Sequence, residues 1–310
     1  MRKGKKWIVI FIGAVILVLL LRGFLFTSYI IPSSGMENSL FQGDRILVNK
    51  WSYGLRLPLM SLFSYHRWQY KNPQSGDIIV FNNPASEEPA IDQRNIYIGR
   101  CIGIPGDTLL IDSLFATQSH REKAGPDRKR LYSYPLNKQH STDSLLKALA
   151  ITNSEIMGYN DSCLIRSFSH YESYLITQAL TTDNWIHPLA KSSPEDAKSI
   201  IIPGKGSSIK VRPWNITLLR NTIRLHENKE ALVKNDSLYI EGKAVDSYTF
   251  SKDYYWMASN NSVNFTDSRL FGFVPHDHLV GKATVVWFSK EGYSGLFQGY
   301  RWGRFFTRVK

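Results

Sequence analysis

Apolar positions along the chain fall into two regimes. Residues 7–21 are apolar without a break, and beyond Arg22 the run continues as Gly23-Phe24-Leu25-Phe26. About 20 residues of helix match the thickness of a bilayer's hydrocarbon core, so 7–26 predicts one transmembrane anchor. Arg2, Lys3, Lys5 and Lys6 precede it; basic residues stay inside, which makes 1–6 a cytoplasmic tail. Arg22 sits near the far end, where its apolar stem lets the charge snorkel to the interface. A cleaved secretory signal begins in the same way but needs a small-x-small site after the apolar run. The exit reads Arg22-Gly23-Phe24-Leu25-Phe26-Thr27-Ser28-Tyr29, so the expectation is an uncleaved, single-pass anchor. No second run of comparable length follows. Everything after Thr27 is then expected outside the inner membrane, in the periplasm of a Gram-negative cell.

The remainder reads as short β-type runs at 44–48, 77–81, 96–104, 108–112, 208–211, 238–240 and 282–287, separated by turn chemistry such as Pro105-Gly106-Asp107 and Pro203-Gly204-Lys205-Gly206. The fold class is mainly β. Between 113 and 200 the texture becomes polar, with helix-like pieces at 144–151 and 171–179, and this stretch reads as a mixed α/β insertion. The predicted organisation is a β core from 27–112 and 201–295, the 113–200 insertion, and a basic, aromatic C-terminal tail over 296–310. No internal repeat is visible.

Composition narrows the partners. The chain has 310 residues, 43% hydrophobic and 21% charged, with a formal charge of +12, the proportions of a packed globular protein. Five of the 38 basic residues (Arg2, Lys3, Lys5, Lys6, Arg22) belong to the N-terminal segment, leaving 33 against 26 acidic residues, a net +7. No basic stripe with interleaved aromatics concentrates that charge, so nucleic acid is not an expected partner. Cys101 and Cys163 make neither a disulfide framework nor a metal cluster, and both a free and a paired state fit the sequence. No metal and no cofactor is expected.

Three ordered segments carry a resemblance. The first is Tyr29-Ile30-Ile31-Pro32-Ser33-Ser34-Gly35-Met36-Glu37-Asn38-Ser39-Leu40, then Gly43-Asp44-Arg45-Ile46-Leu47-Val48-Asn49-Lys50. A second is Gly76-Asp77-Ile78-Ile79-Val80-Phe81, leading to Tyr97-Ile98-Gly99-Arg100-Cys101-Ile102-Gly103-Ile104-Pro105-Gly106-Asp107. The third is Asp267-Ser268-Arg269, then Gly272-Phe273-Val274-Pro275 and Leu279-Val280-Gly281-Lys282-Ala283. In this order behind an anchor they resemble bacterial type I signal peptidase, the membrane-bound Ser/Lys protease that removes signal peptides from exported preproteins. Asn49-Lys50-Trp51-Ser52-Tyr53-Gly54 and the large insertion look most like the Bacteroidetes branch.

That family uses a serine hydroxyl as nucleophile and a neutral lysine as base; burial lowers the lysine's pKa toward working pH. Its pattern I-P-S-x-S-M places the nucleophile before the methionine, where this chain has Gly35. Its pattern Y-x-K-R places the base at Gly99, and the serine that supports the lysine falls at Phe265. The resemblance therefore implies a groove without its catalytic pair, which the two glycines would enlarge. Ser33 takes the place of the family's oxyanion serine, with Ser34 and Met36 beside it in the groove. Ser34 lies about 3.8 Å along the backbone from the lost hydroxyl, too far for attack geometry, and Arg100 stays protonated and cannot act as a base. Asp267, Ser268 and Arg269 are expected to form a structural brace.

His276-Asp277-His278 matches no established ligand spacing and reads as a polar surface turn. Asn215-Ile216-Thr217 and Asn235-Asp236-Ser237 match a glycosylation pattern that carries no weight in a bacterium. The C-terminal aromatic and basic residues suit a headgroup contact as well as they suit packing on the β core. The leading functional reading is a membrane-anchored pseudoprotease that binds signal peptides or exported segments, with membrane lipid as its other partner. The alternatives are an active signal peptidase I and an envelope scaffold that docks through its insertion.

Overall fold

The computed structural model describes residues 2–37, 39–58, 60, 63, 65–111, 129–151, 154, 156–159, 162–180, 184–189, 198–260, 266–292, 294–295 and 297–309. Helix α1, Arg2–Leu20, passes into a wide π turn over Leu21–Leu25. The apolar part of α1 itself begins only at Trp7, and among the described residues no helix is long and apolar enough to cross a membrane.

An antiparallel sheet organises the core. Its strands are β1 (Phe26–Ile30), β2 (Asp44–Asn49), β3 (Ile78–Asn82), β4 (Ile96–Gly103), β5 (Tyr254–Ala258), β6 (Val274–Pro275), β7 (Leu279–Ser289) and β8 (Thr307–Arg308). Their order is β1-β2-β7-β3-β4-β5-β6, with β8 added alongside β7. Central β3 is buried along its whole length, and the two-residue period of a strand sends its side chains to opposite faces. Ile78 and Val80 join Ile31, Met36, Leu40, Ile46, Val48, Val280, Ala283 and Val286 on one face. Ile79 and Phe81 join Tyr53, Cys101, Tyr255, Met257, Val274 and Leu279 on the other.

The mainly β class holds, and the expected runs appear as strands with shifted ends. The run at 282–287 extends to the eleven residues of β7, and Thr108–Ile111 pairs with Lys198–Ile201. Within the stretch expected to be an insertion, Lys129–Pro135, Cys163–Ser169, Ile156–Tyr159 and His187–Pro188 form a separate four-stranded sheet. Helices α2 (Gln139–Ala148) and α3 (His170–Ala179) accompany it, and a cluster of its own includes Tyr134, Leu146, Leu164, Phe168, Ile176 and Ile186. A capping box explains where α3 starts: the Ser169 hydroxyl accepts the Glu172 amide, and the Glu172 carboxylate accepts the Ser169 amide.

Helix α4, Ile216–His226, has no counterpart among the sequence-based expectations. It buries Ile216, Leu219 and Ile223 against a cluster containing Ile202, Trp256 and Phe273. Asn215 stands just before it and accepts the Arg212 amide, so the apparent glycosylation tripeptide is the entry to a buried helix. Helix α5 is a single turn, Ser268–Phe271. Cys101 and Cys163 lie in different sheets and form no disulfide with each other.

The C-terminal segment packs on the core. Strand β8 pairs with β7, Phe305 lies against Phe288, and the Arg304 guanidinium bonds the fully buried Asp44 carboxylate at 2.5 Å. Trp302 and Phe306 remain exposed.

Candidate functional site

The backbone leaves β1 at Ile30 and is pinned at Ile31, whose amide donates to Asp44 and whose carbonyl accepts from Gly43. Ser33 is extended, and Ser34–Met36 then form a tight 3-10 turn that buries Gly35 and Met36. Three side chains fasten this turn. The Asn260 amide donates to the carbonyls of Glu37 (3.0 Å) and Met36 (3.4 Å), and Ser39 Oγ accepts from both Arg100 (2.7 Å) and Asn260 (3.1 Å). Arg100 also donates to the Gly76 carbonyl at 2.9 Å. Its guanidinium is thus spent on holding the turn, in keeping with its exclusion as a base.

Beside the turn lies a cavity of about 280 Å³. Ser33, Gly35, Met36, Tyr29, Ile30 and Ile31 form one wall, and Val80, Ile96, Tyr97, Ile98, Ser259 and Thr266 stand around it. Two strand edges flank this space. Strand β5 pairs with β4 only from Arg100 onward, so Ile96–Gly99 has a ladder partner on the β3 side alone among the described residues. Among the described residues, strand β1 likewise pairs only with β2. Unpaired edges of this kind accept an extended peptide by β-augmentation.

Gly99 is buried in β4 opposite Ile79 and is not among the described residues that line the cavity. A Cβ placed there would meet Met257 Cβ at 3.3 Å, the Ala258 carbonyl at 3.4 Å and Phe81 Cε1 at 3.5 Å. The expected enlargement of the groove therefore does not extend to this position: an apolar sleeve already closes on the backbone. Ser33 and Gly35 do line the cavity, Ser34 does not, and Phe265 lies outside the described residues.

Asp267, Ser268 and Arg269 are tied to β5. The Asp267 carboxylate accepts from the Ser259 amide at 2.8 Å and from the Arg269 guanidinium at 2.7 Å, while Ser268 Oγ accepts the Met257 amide at 2.8 Å. Through these bonds the segment holds the end of β5, from which Ser259 reaches the cavity.

Tyr29 and Tyr97 carry the titratable side chains among the described lining residues. Burial raises the Tyr29 phenol, and the nearby Arg56 and Arg22 charges offset part of that rise. The most strongly perturbed amine is Lys50, brought down to about 8 by burial and then by Arg56 and Arg22. Its Nζ donates to the carbonyls of Arg22 and Gly23, both at 3.0 Å. It thereby caps the end of the N-terminal helix and does not line the cavity.

The His276-Asp277-His278 turn is buried, not a surface loop. Asp277 and His278 satisfy each other and draw in partners from outside the turn, which is the condition for burying them. Asp277 receives His278 Nδ1 at 2.6 Å and Lys252 Nζ at 2.8 Å. Burial alone would raise that carboxyl, but these two partners hold it well below the usual carboxylate range. Burial lowers His276 to about 3 and also lowers His278. Among the described residues no group of side chains has the makings of a metal site.

These features meet the comparisons with known proteins at the same residues. The family model described as signal peptidase, peptidase S26, matches residues 4–148 and 222–288, and the chain belongs to that family. It is similar to signal peptidase I of Buchnera aphidicola subsp. Acyrthosiphon pisum, at 27% identity over 278 residues covering 88% of this chain and 71% of that protein. Against signal peptidase I of Haemophilus influenzae the identity is 24%, covering 94% of this chain and 72% of the relative. A shorter match to signal peptidase I of Pseudomonas aeruginosa reaches 42% over 99 residues, 32% of each chain.

Proposed function

We propose that this member of the signal peptidase family is a pseudoprotease: it binds signal peptides or exported segments in the groove beside Gly35 and does not cut them. In this reading Gly35 and Gly99 stand at the family's nucleophile and base positions, and Phe265 at that of the supporting serine. One observation carries it. The described lining of the cavity offers hydroxyls at Ser33, Ser259 and Thr266 and phenols at Tyr29 and Tyr97 but no amine or imidazole, so a hydroxyl there has no lysine or histidine to take its proton. Losing a serine nucleophile or its base lowers kcat by about 10⁶, roughly 8 kcal/mol of barrier. Binding survives that loss because β-augmentation draws on the backbone edges of Ile96–Gly99 and β1 and on shallow apolar pockets.

The same reading gives the chain a single-pass inner-membrane anchor, an N-terminus in the cytoplasm and its bulk in the periplasm, with residues 113–200 as an insertion in the β core and Asp267, Ser268 and Arg269 as its brace. Support for the anchor comes from the continuity of α1 with its π turn. Residues 7–25 rise roughly 28 Å at 1.5 Å per residue, and Trp7, Phe11, Leu17 and Leu19 are exposed with no protein surface to cover them.

The test is full-length protein in detergent with a preprotein carrying an Ala-x-Ala site. Saturable binding without product supports the proposal. Cleavage that Ser34→Ala abolishes refutes it in favour of an active peptidase, and absence of both binding and cleavage refutes it in favour of a scaffold.

A further inference from the structure

A second cavity, of about 450 Å³, shares no lining residue with the groove. Tyr65, Tyr70, Lys205, Ser251, Lys252, Asp253, His276 and Asp277 surround it. Its volume lies within the range of small-molecule sites, which pair aromatic walls with a few placed polar groups.

The walls are held by bonds to both of their carboxylates. Tyr70 donates to Asp253 Oδ2 at 2.5 Å and stacks on His276 with ring centroids 3.8 Å apart; the other Asp253 oxygen accepts the Lys205 amide at 2.8 Å. Asp277 is taken by Lys252 and His278. Tyr65 accepts from Arg67 Nε at 3.1 Å, and Arg56 donates to the Asp277 carbonyl at 3.1 Å. Lys205 and Lys252 in the lining, with Arg56 and Arg67 behind it, outnumber the two carboxylates, Asp277 being ion-paired and Asp253 hydrogen-bonded to neutral donors. The Lys205 ammonium forms no hydrogen bond or ion pair with the described residues, while Tyr70 is 47% exposed, leaving an aromatic face beside an unspent cation. His276 is 3% exposed; its Nδ1 engages the Tyr255 hydroxyl at 2.9 Å, and its Nε2 has no hydrogen-bond partner among the described residues. The arrangement has the two elements that recognise a flat anion, a stacking surface and a charge-assisted donor.

We propose that this cavity is a binding site for a small planar anion, an aromatic ring bearing a carboxylate or phosphate, which stacks on Tyr70 and places its charge on Lys205. The site does not depend on the peptide groove and works whether or not the groove binds peptide.

The experiment uses full-length protein in non-ionic detergent and ligand-observed NMR titration with phenyl phosphate and 4-hydroxybenzoate, with phenol and inorganic phosphate as half-ligands. Both ring-bearing anions are expected to bind saturably, each half-ligand about tenfold or more weaker, and Lys205→Glu to weaken phenyl phosphate about tenfold. Lys205 is exposed, so this variant keeps its thermal transition; Tyr70→Ala, melted in parallel, is expected to weaken both ring-bearing anions. An Ile98→Trp substitution in the peptide groove leaves phenyl phosphate affinity unchanged. Failure of either ring-bearing anion to saturate overturns the proposal, as does unaltered affinity in Lys205→Glu or a loss caused by Ile98→Trp.

Discussion

Placing a lysine at position 99 tests the description of that position as an apolar sleeve. The backbone leaves room for a Cβ if Met257 yields by a few tenths of an ångström, since the other two contacts are at or near ordinary van der Waals distance. Beyond Cβ the side chain meets Phe81 and Met257, both fully buried. A lysine enclosed there titrates low; a fall from about 10.4 to about 7.4 is at the lower end of shifts for fully buried amines. Three pKa units correspond to about 4 kcal/mol. The sign follows from linkage: a group whose folded pKa is depressed costs nothing while both states are neutral, above the unfolded pKa. The cost grows as pH falls toward the folded pKa and is complete below it. Gly99→Met supplies a similar volume without charge, so the difference between the two variants isolates ionisation. In urea unfolding of the full-length protein in detergent, Gly99→Lys should be less stable than Gly99→Met by about 4 kcal/mol at pH 7 and by only ~0.4 kcal/mol near pH 10.4. If the two variants track each other across that range, the lysine reaches water and the sleeve does not enclose it. With the sleeve intact, the Gly35→Ser, Gly99→Lys double variant, and neither single variant, should cleave an Ala-x-Ala substrate slowly above about pH 7.4.

Other consequences follow from the same contacts. Asp267→Ala leaves the buried Arg269 guanidinium without its carboxylate and should cost about 3–5 kcal/mol, read as a lowered melting temperature. Because His226, His276 and His278 are buried with lowered pKa values, folded stability is full above about pH 6.5 and declines as pH falls below it. His276→Asn should flatten that acid slope by up to about 1.36 kcal/mol per pH unit, measured by unfolding between pH 7 and pH 4.5. Since the described groove lining holds no cation, a peptide whose free carboxylate ends at Gly35 should bind at least about tenfold more weakly than its amide, because an unpaired buried charge is expensive; equal affinities in a titration would refute a neutral groove.

Much of the fold was legible because strand signals are local. The unbroken apolar run at 78–81 suits a strand buried on both faces, and the structure divides those residues between two clusters. Helix α4 carries a signal that the sequence-based expectations left unused: Ile216, Leu219 and Ile223 recur at the i, i+3, i+7 spacing of one helix face, with polar residues between them, and that face is the one buried against Trp256 and Phe273. The polar look of His276-Asp277-His278 misled for a different reason. Its partners Lys252, Arg94 and Tyr255 lie far away in sequence or on other strands, and composition alone cannot tell a solvated turn from a satisfied buried one. Within the groove, Ser33, Gly35 and Met36 were readable from one continuous segment. The Ser39, Arg100 and Asn260 network that fixes their turn joins three distant segments and has no local signal. The packed surroundings of Gly99 were hidden as well, since a sequence shows a missing side chain but not whether its space has closed.

The most direct measurement mixes purified full-length protein with an Ala-x-Ala preprotein and follows the bound and the processed fractions over the same hours. The account predicts a saturable complex from which intact preprotein is recovered. Mature protein accumulating at a rate that scales with this chain, and stopping when Ser34 is changed to Ala, would contradict it.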